Sequence, residues 1–251
     1  MTVQDLSGTT AVVTGVSRGF GRAIAISLVG AGARVVAVSR NEEKLHELAD
    51  EVGPALTPEI ADVASPSLAP RLIAQYRPLT VVLNAGATLV MAPLQDQTWE
   101  TFSQDWDVDV KQAFYFARAA LSAPLAPGSA VVNFSSGAAL GRGSFLSGGY
   151  SGAKATVKFI SAYAAKEPER ASLGVRFVSV LPQLTPATDL GSVGVEGYAA
   201  YEGLSTRSFI ERLGAVLSAG QVAKGVLELA TDGSLEAPAF MLSAEGLRPI
   251  S

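Results

Sequence analysis

Short apolar runs alternate with longer amphipathic stretches along the chain. The runs Thr10–Thr14, Arg34–Val38, Thr80–Asn84, Ala130–Phe134 and Val175–Leu181 are rich in β-branched residues and nearly continuous in apolar character. A strand with one wet face alternates apolar and polar positions, so continuous runs predict strands buried on both faces of a parallel sheet. Between them, Arg22–Ala31, Glu42–Glu51, Ser67–Tyr76, Trp99–Leu121 and Gly152–Ala165 follow helical patterns. A weaker strand over Ala55–Val63, a helix in "QVAKGVLELA" and a last strand in "PAFMLSA" complete the series. Strands alternating with helices predict repeated βαβ units, hence a doubly wound α/β fold. Seven strands, mostly parallel and with helices on both faces, are expected. No linker or shift in composition divides residues 1–251, so one domain is expected. Pro182–Ser205 lacks a periodic pattern and predicts an irregular substrate lid at about 182–210.

Composition narrows the function classes. Nearly half of the 251 residues are apolar and 17% are charged, which suits a well-buried core. The formal net charge of −4, without a basic cluster, argues against nucleic acid or an anionic membrane as partner. With no cysteine, disulfides, thiolate catalysis and thiolate metal sites are excluded. The opening "MTVQDLSG" lacks a basic region followed by an apolar core, and no apolar stretch is long enough to span a bilayer. A cytoplasmic protein is the expectation.

The stretch "TGVSRGFG", Thr14–Gly21, joins the first strand to the first helix. In such a turn, helix N-terminal N–H groups and the helix dipole receive a phosphate, and glycines let a pyrophosphate approach the backbone. The second strand ends "VAVSRNEE", beside the expected position of an adenosine ribose. An NAD site places a carboxylate there; this chain has Ser39 followed by Arg40, with Arg18 rising from the first turn. Two guanidiniums and a hydroxyl near one point of an acidic chain fit a 2′-phosphate, so the dinucleotide is read as NADP(H).

Further on, "VVNFSSGAALGRGSFLSGGYSGAK" runs from strand into helix. Tyr150 and Lys154, spaced i, i+4, share one helix face. An ammonium beside a phenol favours the phenolate and makes the tyrosine a usable acid or base. Ser136, at the end of the preceding strand, can hydrogen-bond a substrate oxygen in the same place.

Together these motifs resemble the short-chain dehydrogenase/reductase family over nearly the whole chain. "TGVSRGFG" matches its cofactor turn, "ADV" at Asp62 and Val63 its adenine contact, and "LNAG" at Asn84, Ala85 and Gly86 its central strand. "SS" at Ser135–Ser136 and "YSGAK" at Tyr150–Lys154 complete the order. The resemblance implies a Rossmann fold and an NADPH-dependent carbonyl reductase (an alcohol dehydrogenase in reverse). Tyr150 would be its acid/base. Lys154 would bind the nicotinamide ribose and tune Tyr150, and Ser136 would position the carbonyl. Cofactor contacts are implied for Gly15, Ser17, Arg18, Gly19, Phe20, Gly21, Ser39, Arg40, Pro182 and Thr185. A homodimer or homotetramer is implied, because the long helices of this family pair between subunits. Three departures stand out. Asp109 occupies the family's asparagine position in "DVDVKQAF", where it joins the catalytic set, and Gln183 follows Pro182 where the family has glycine. The segment from the serines to Tyr150 is one residue longer than the family's, which leaves Ser135 as the alternative to Ser136, the better match.

The substrate is expected to be a largely apolar ketone or its alcohol. Ala138, Phe145, Leu146, Leu89, Val90, Leu184, Tyr198 and Tyr201 are the candidate lining, with Arg142 available to an anionic group. The sole histidine, His46, predicts a solvent-facing helix position, and Trp99 and Trp106 predict packing. Asp105 and Asp107 read as a charge bias at a helix N-terminus. Two other functions fit the same motifs: a non-catalytic NADP(H) sensor or subunit, and an epimerase-like enzyme without net redox.

Overall fold

A computed structural model describes residues 5–86, 88–123, 125–141 and 145–250. The first half runs β1 (Thr10–Thr14), α1 (Gly19–Gly30), β2 (Arg34–Ser39), α2 (Glu42–Val52), β3 (Leu56–Ile60), α3 (Leu68–Tyr76) and β4 (Thr80–Leu83). The second runs α4 (Trp99–Asp105), α5 (Lys111–Ser122), β5 (Ala130–Phe134), α6 (Gly148–Ala171) and β6 (Arg176–Pro182). It continues through α7 (Asp189–Tyr201), α8 (Thr206–Leu213), α9 (Ala219–Thr231), β7 (Ala239–Ser243) and β8 (Gly246–Ile250). The sheet order is β3-β2-β1-β4-β5-β6-β7-β8, parallel except for the β7–β8 pair.

Continuous apolar strands do what their pattern requires: β4 and β5 are buried at every position. Successive side chains point to opposite faces. On β1, Val13 joins the layer built by Ile24, Leu28, Val226 and Leu229, while its neighbour Val12 joins Leu72, Ile73 and Phe116 on the other face. Strand order reverses between β1 and β4, and a crevice opens there at the carboxyl ends of the strands.

The sheet has eight strands among the described residues, not seven. The addition, β8, reads "GLRPI"; it carries no apolar run because it is an edge strand, with Arg248 and Pro249 exposed. The predicted helix Trp99–Leu121 is interrupted by a π-helical turn at Trp106–Val110, where the backbone takes a wider winding around Asp109.

The lid is not an irregular loop. Residues 189–201 and 206–213 form α7 and α8, each with a hydroxyl cap: Thr188 accepts from the Gly191 N–H and Ser205 from the Ser208 N–H. Three glycines in α7 lower its helix propensity and hide its periodicity. Their absent side chains let the helix lie close to the body: a Cβ on Gly191 would fall 1.9 Å from the Thr185 carbonyl oxygen, and one on Gly197 2.7 Å from Met91.

Candidate active site

A cleft of about 1330 Å³ opens along the carboxyl ends of β1, β2, β4, β5 and β6. At one end lies the glycine turn. The turn closes tightly, because a Cβ on Gly21 would stand 2.2 Å from the Gly15 carbonyl oxygen. No side chain caps the start of α1 and no acid sits in its first turn, so its leading N–H groups and positive dipole end are left for an anion. Gly15, Ser17, Arg18, Gly19 and Phe20 line the cleft here, and Gly21 supports them from beneath.

Ser39 and Arg40 line the adjoining wall, with Asn41 and Lys44 beside them. The Ser39 hydroxyl accepts from the Asn41 N–H at 3.1 Å, and Asn41 caps α2. Arg18 reaches across the mouth to Asp189 at the start of α7, at 2.6 Å; both side chains are about 70% exposed. Asp62, Val63, Asn84, Ala85 and Gly86 complete this wall. A buried network holds the central segment. Thr14 accepts from the N–H groups of Asn84 and Ala85 at 3.0 and 3.1 Å and donates to Gln112 at 2.6 Å; Gln112 donates to the Ala85 carbonyl at 2.9 Å.

At the other end, Ser136, Tyr150, Lys154 and Asp109 come together. Tyr150 and Lys154 stand on successive turns of α6, the ammonium 5.6 Å from the phenol ring centre. Lys154 donates to the Phe134 carbonyl at 2.9 Å and pairs with Asp109 Oδ1 at 2.5 Å. The adjacent serines divide their work. Ser135 donates to the Lys154 carbonyl at 2.7 Å, tying β5 to α6, and Ser136 bonds to the Tyr150 phenol.

Burial raises the Tyr150 pKa, opposed by the Lys154 ammonium and the Ser136 hydroxyl; Asp109 and Asp105 push it further up. The tyrosine is therefore a stronger proton holder here than its lysine neighbour alone predicts. Burial is the largest single influence and lowers the Lys154 pKa, but the Asp109 charge and hydrogen bond, joined by Tyr150 and Asp105, together outweigh it, and the lysine is held above its ordinary range.

Pro182, Leu184, Thr185, Ala138, Phe145 and Tyr198 also line the cleft, with Leu89, Val193 and Met241. The Thr185 hydroxyl donates to the Leu217 carbonyl at 2.7 Å, and the Tyr198 hydroxyl lies 2.6 Å from that of Ser147. Phe145 stacks on Tyr201 with ring centres 6.0 Å apart. Leu146 is buried, its carbonyl accepting from the Ala92 N–H, and does not line the cleft; nor do Val90 and Tyr201. Arg142 lies outside the described residues.

Other expectations part ways at α4. Asp107 is exposed and pairs with Lys111, as a solvated helix charge should. Asp105 is 2% exposed and not a surface charge at all. Trp99, expected to pack, is 73% exposed, whereas His46 faces solvent as expected.

A short chain dehydrogenase match covers residues 9–196, three quarters of the chain and every strand from β1 to β6. The chain belongs to the short-chain dehydrogenase family. Its members are oxidoreductases that use nicotinamide cofactors on CH–OH or carbonyl groups. Sorbitol dehydrogenase of Cereibacter sphaeroides is 28% identical over 225 residues, 87% of this chain and 86% of that protein. L-xylulose reductase of Mus musculus is 31% identical over 133 residues, and carbonyl reductase [NADPH] 2 of Sus scrofa 32% over 135. These two matches span about half of each chain: 52% and 53% of this one, and 54% of each relative. Thr188 and Asp189 on the cleft rim, and Gln112 holding the central segment, are residues that sequence reasoning missed, and buried Asp105 is one it assigned to a surface charge. Thr188 and Asp189 carried an N-cap signal, an acid following threonine at a helix start. Gln112 and Asp105 carried none, since their meaning depends on burial.

Proposed function

We propose that the protein is an NADPH-dependent reductase of largely apolar ketones, working in reverse as a secondary alcohol dehydrogenase. The observation that carries the reading is the cleft itself: Ser136, Tyr150 and Lys154 meet at one end and an uncapped glycine turn opens at the other. The turn, the free α1 N-terminus, and Arg18 and Arg40 fit a phosphorylated dinucleotide. Arg40 and Arg18 would hold the 2′-phosphate, with the first α1 N–H groups on the pyrophosphate and Asp62 and Val63 along the adenine.

When bound, the nicotinamide supplies or accepts the hydride. The residues of this chain manage the proton. Tyr150, kept protonated by burial, donates to the carbonyl oxygen during reduction, while the Ser136 hydroxyl orients that oxygen. Lys154, fixed by Asp109 and the Phe134 carbonyl, steadies the developing phenolate through its charge.

Around Tyr150 the walls are mostly apolar, from Leu89, Leu184, Phe145, Val193 and Met241, with the Ser147–Tyr198 hydroxyl pair as a polar point. Such a wall offers a polyhydroxylated chain few partners, so an apolar carbonyl compound is the better fit. Among the described residues no helix is long and apolar enough to cross a membrane, and a cytoplasmic enzyme is our reading. Exposed Phe114 on α5 and the stacked Phe159–Tyr163 pair on α6 support a homodimer or homotetramer joined through these helices. Loss of reduced-nicotinamide absorbance over a panel of apolar ketones, polyols and sugars tests the function. Turnover of ketones with NADPH is expected; tight NADPH binding without any turnover overturns it.

A further inference from the structure

Two acids are buried among the described residues, Asp105 and Asp109, each 2% exposed. Asp109 is spent on Lys154. Asp105, at the end of α4 where the π turn begins, has a fully buried Oδ1 with no hydrogen-bond partner. An apolar side chain would fill that space without the cost of desolvating a carboxyl group. The surroundings show what the carboxyl group faces. Helix α4 lies hard against α6, so that a Cβ on Gly149 would come 2.3 Å from the Phe102 carbonyl oxygen. Asp109, on the adjoining π turn, and Lys154 and Tyr150, from α6, are the ionisable groups that interact with Asp105.

We propose that Asp105 is a positioning residue for the proton chemistry of Tyr150, acting through the buried Asp109–Lys154 pair. Its ionisation switches the cluster from net neutral to net negative. A negative cluster holds the phenol's proton more tightly; a neutral one lets it go more readily. Burial, and after it the Asp109 charge, raise the Asp105 pKa to about 7, against a smaller opposing pull from Lys154. The switch therefore operates across the neutral range. One added charge in a buried cluster moves a neighbour's pKa by about one unit. Alcohol oxidation needs the phenolate and is delayed to higher pH by ionised Asp105; ketone reduction needs the phenol and is extended to higher pH by it. The inference rests on Tyr150 being the acid/base of the proposed reductase.

The test compares wild type, Asp105→Asn and Asp105→Leu in pH profiles of both directions. In both variants the oxidation limb is expected to move about one pH unit lower and the neutral-range inflection to vanish, with maximal kcat/KM within a few-fold of wild type. Profiles that overlay on wild type, with activity merely scaled down, would reduce Asp105 to packing and overturn the proposal. A second measurement needs no turnover. The phenolate absorbance of Tyr150, taken as the difference from Tyr150→Phe, should titrate about one unit lower with Asp105→Asn. An unmoved titration overturns the proposal even if no substrate is found. Absence of any ketone turnover alongside a moved titration would instead overturn the reductase reading alone. Stability supplies a third check. Folding raises the Asp105 pKa above its unfolded value of 3.8, so the folded state binds that proton more tightly and loses stability as pH rises towards 7. The wild-type melting temperature should therefore fall further than that of Asp105→Asn between about pH 5 and about pH 8. Equal slopes overturn the proposal.

Discussion

Asp109 Oδ1 lies 2.5 Å from Nζ of Lys154, with both side chains closed off from water. A carboxylate in this place strengthens the hold on the lysine proton and offsets part of the positive charge that Tyr150 feels. Removing the carboxylate charge with Asp109→Asn therefore lowers the Tyr150 pKa and shifts alcohol oxidation to lower pH, with reduction at neutral pH nearly unchanged. The comparison is of kcat/KM for oxidation against pH; superimposed profiles would show that Asp109 does not act on Tyr150.

Gly21 is the closest contact of the cofactor turn. Its substitution by alanine drives a methyl group into the Gly15 carbonyl oxygen, which is backbone and cannot swing away. We expect Gly21→Ala to cost about 1–3 kcal/mol of stability and to weaken dinucleotide binding more than tenfold. Thermal melts and binding titrations read the two effects; a variant that melts and binds like wild type contradicts the assigned turn.

The proposed NADPH preference rests on the two arginines. Each charge-assisted hydrogen bond to a 2′-phosphate contributes about 1.5–3 kcal/mol, so Arg18 and Arg40 together should favour NADPH over NADH by about a hundredfold or more. Arg18 must leave Asp189 to take part, and an exposed ion pair costs little to break, about 0–1 kcal/mol. Ser39→Asp combined with Arg40→Ala should reverse the preference. Equal dissociation constants of wild type for the two cofactors would refute the assignment.

Most of the fold was legible because buried parallel strands announce themselves. Uniformly buried β4 and β5 are nearly continuous apolar runs, broken only by Thr80 and Asn133, and the Tyr150–Lys154 spacing fell on a helix as predicted. The failures have physical causes. Glycines in α7 that permit close packing erase the apolar stripe by which a helix is recognised, and edge strand β8 needs no apolar run. Asp105 and Asp107 look alike in sequence, two positions apart, yet one is buried and one pairs at the surface. Residues i and i+2 point to opposite sides of a helix, and no local pattern in "DWDVDV" foretells which of the two acids is turned inward.

Exposed aromatic side chains on α6 carry the prediction on assembly. Phe159 and Tyr163 stack with ring centres 6.1 Å apart while two thirds of each side chain remains in solvent. Phe159→Glu should shift the protein to a smaller species in sedimentation, since a charge at the centre of an apolar contact costs several kcal/mol. A wild-type monomer, or an unchanged oligomer in Phe159→Glu, would remove α6 from the interface.

The central proposal is Tyr150 as the proton donor beside a dinucleotide held by the glycine turn. Its most direct test is Tyr150→Phe, measured for NADPH binding and for single-turnover ketone reduction in the same preparation. The phenol is in hydrogen-bonding contact with Ser136 and stands apart from the turn, so binding should stay within a few-fold of wild type. Reduction should fall by about 10²–10⁴, the usual contribution of a general acid. Retained binding with lost turnover is the predicted result. Substantial reduction by Tyr150→Phe would contradict it.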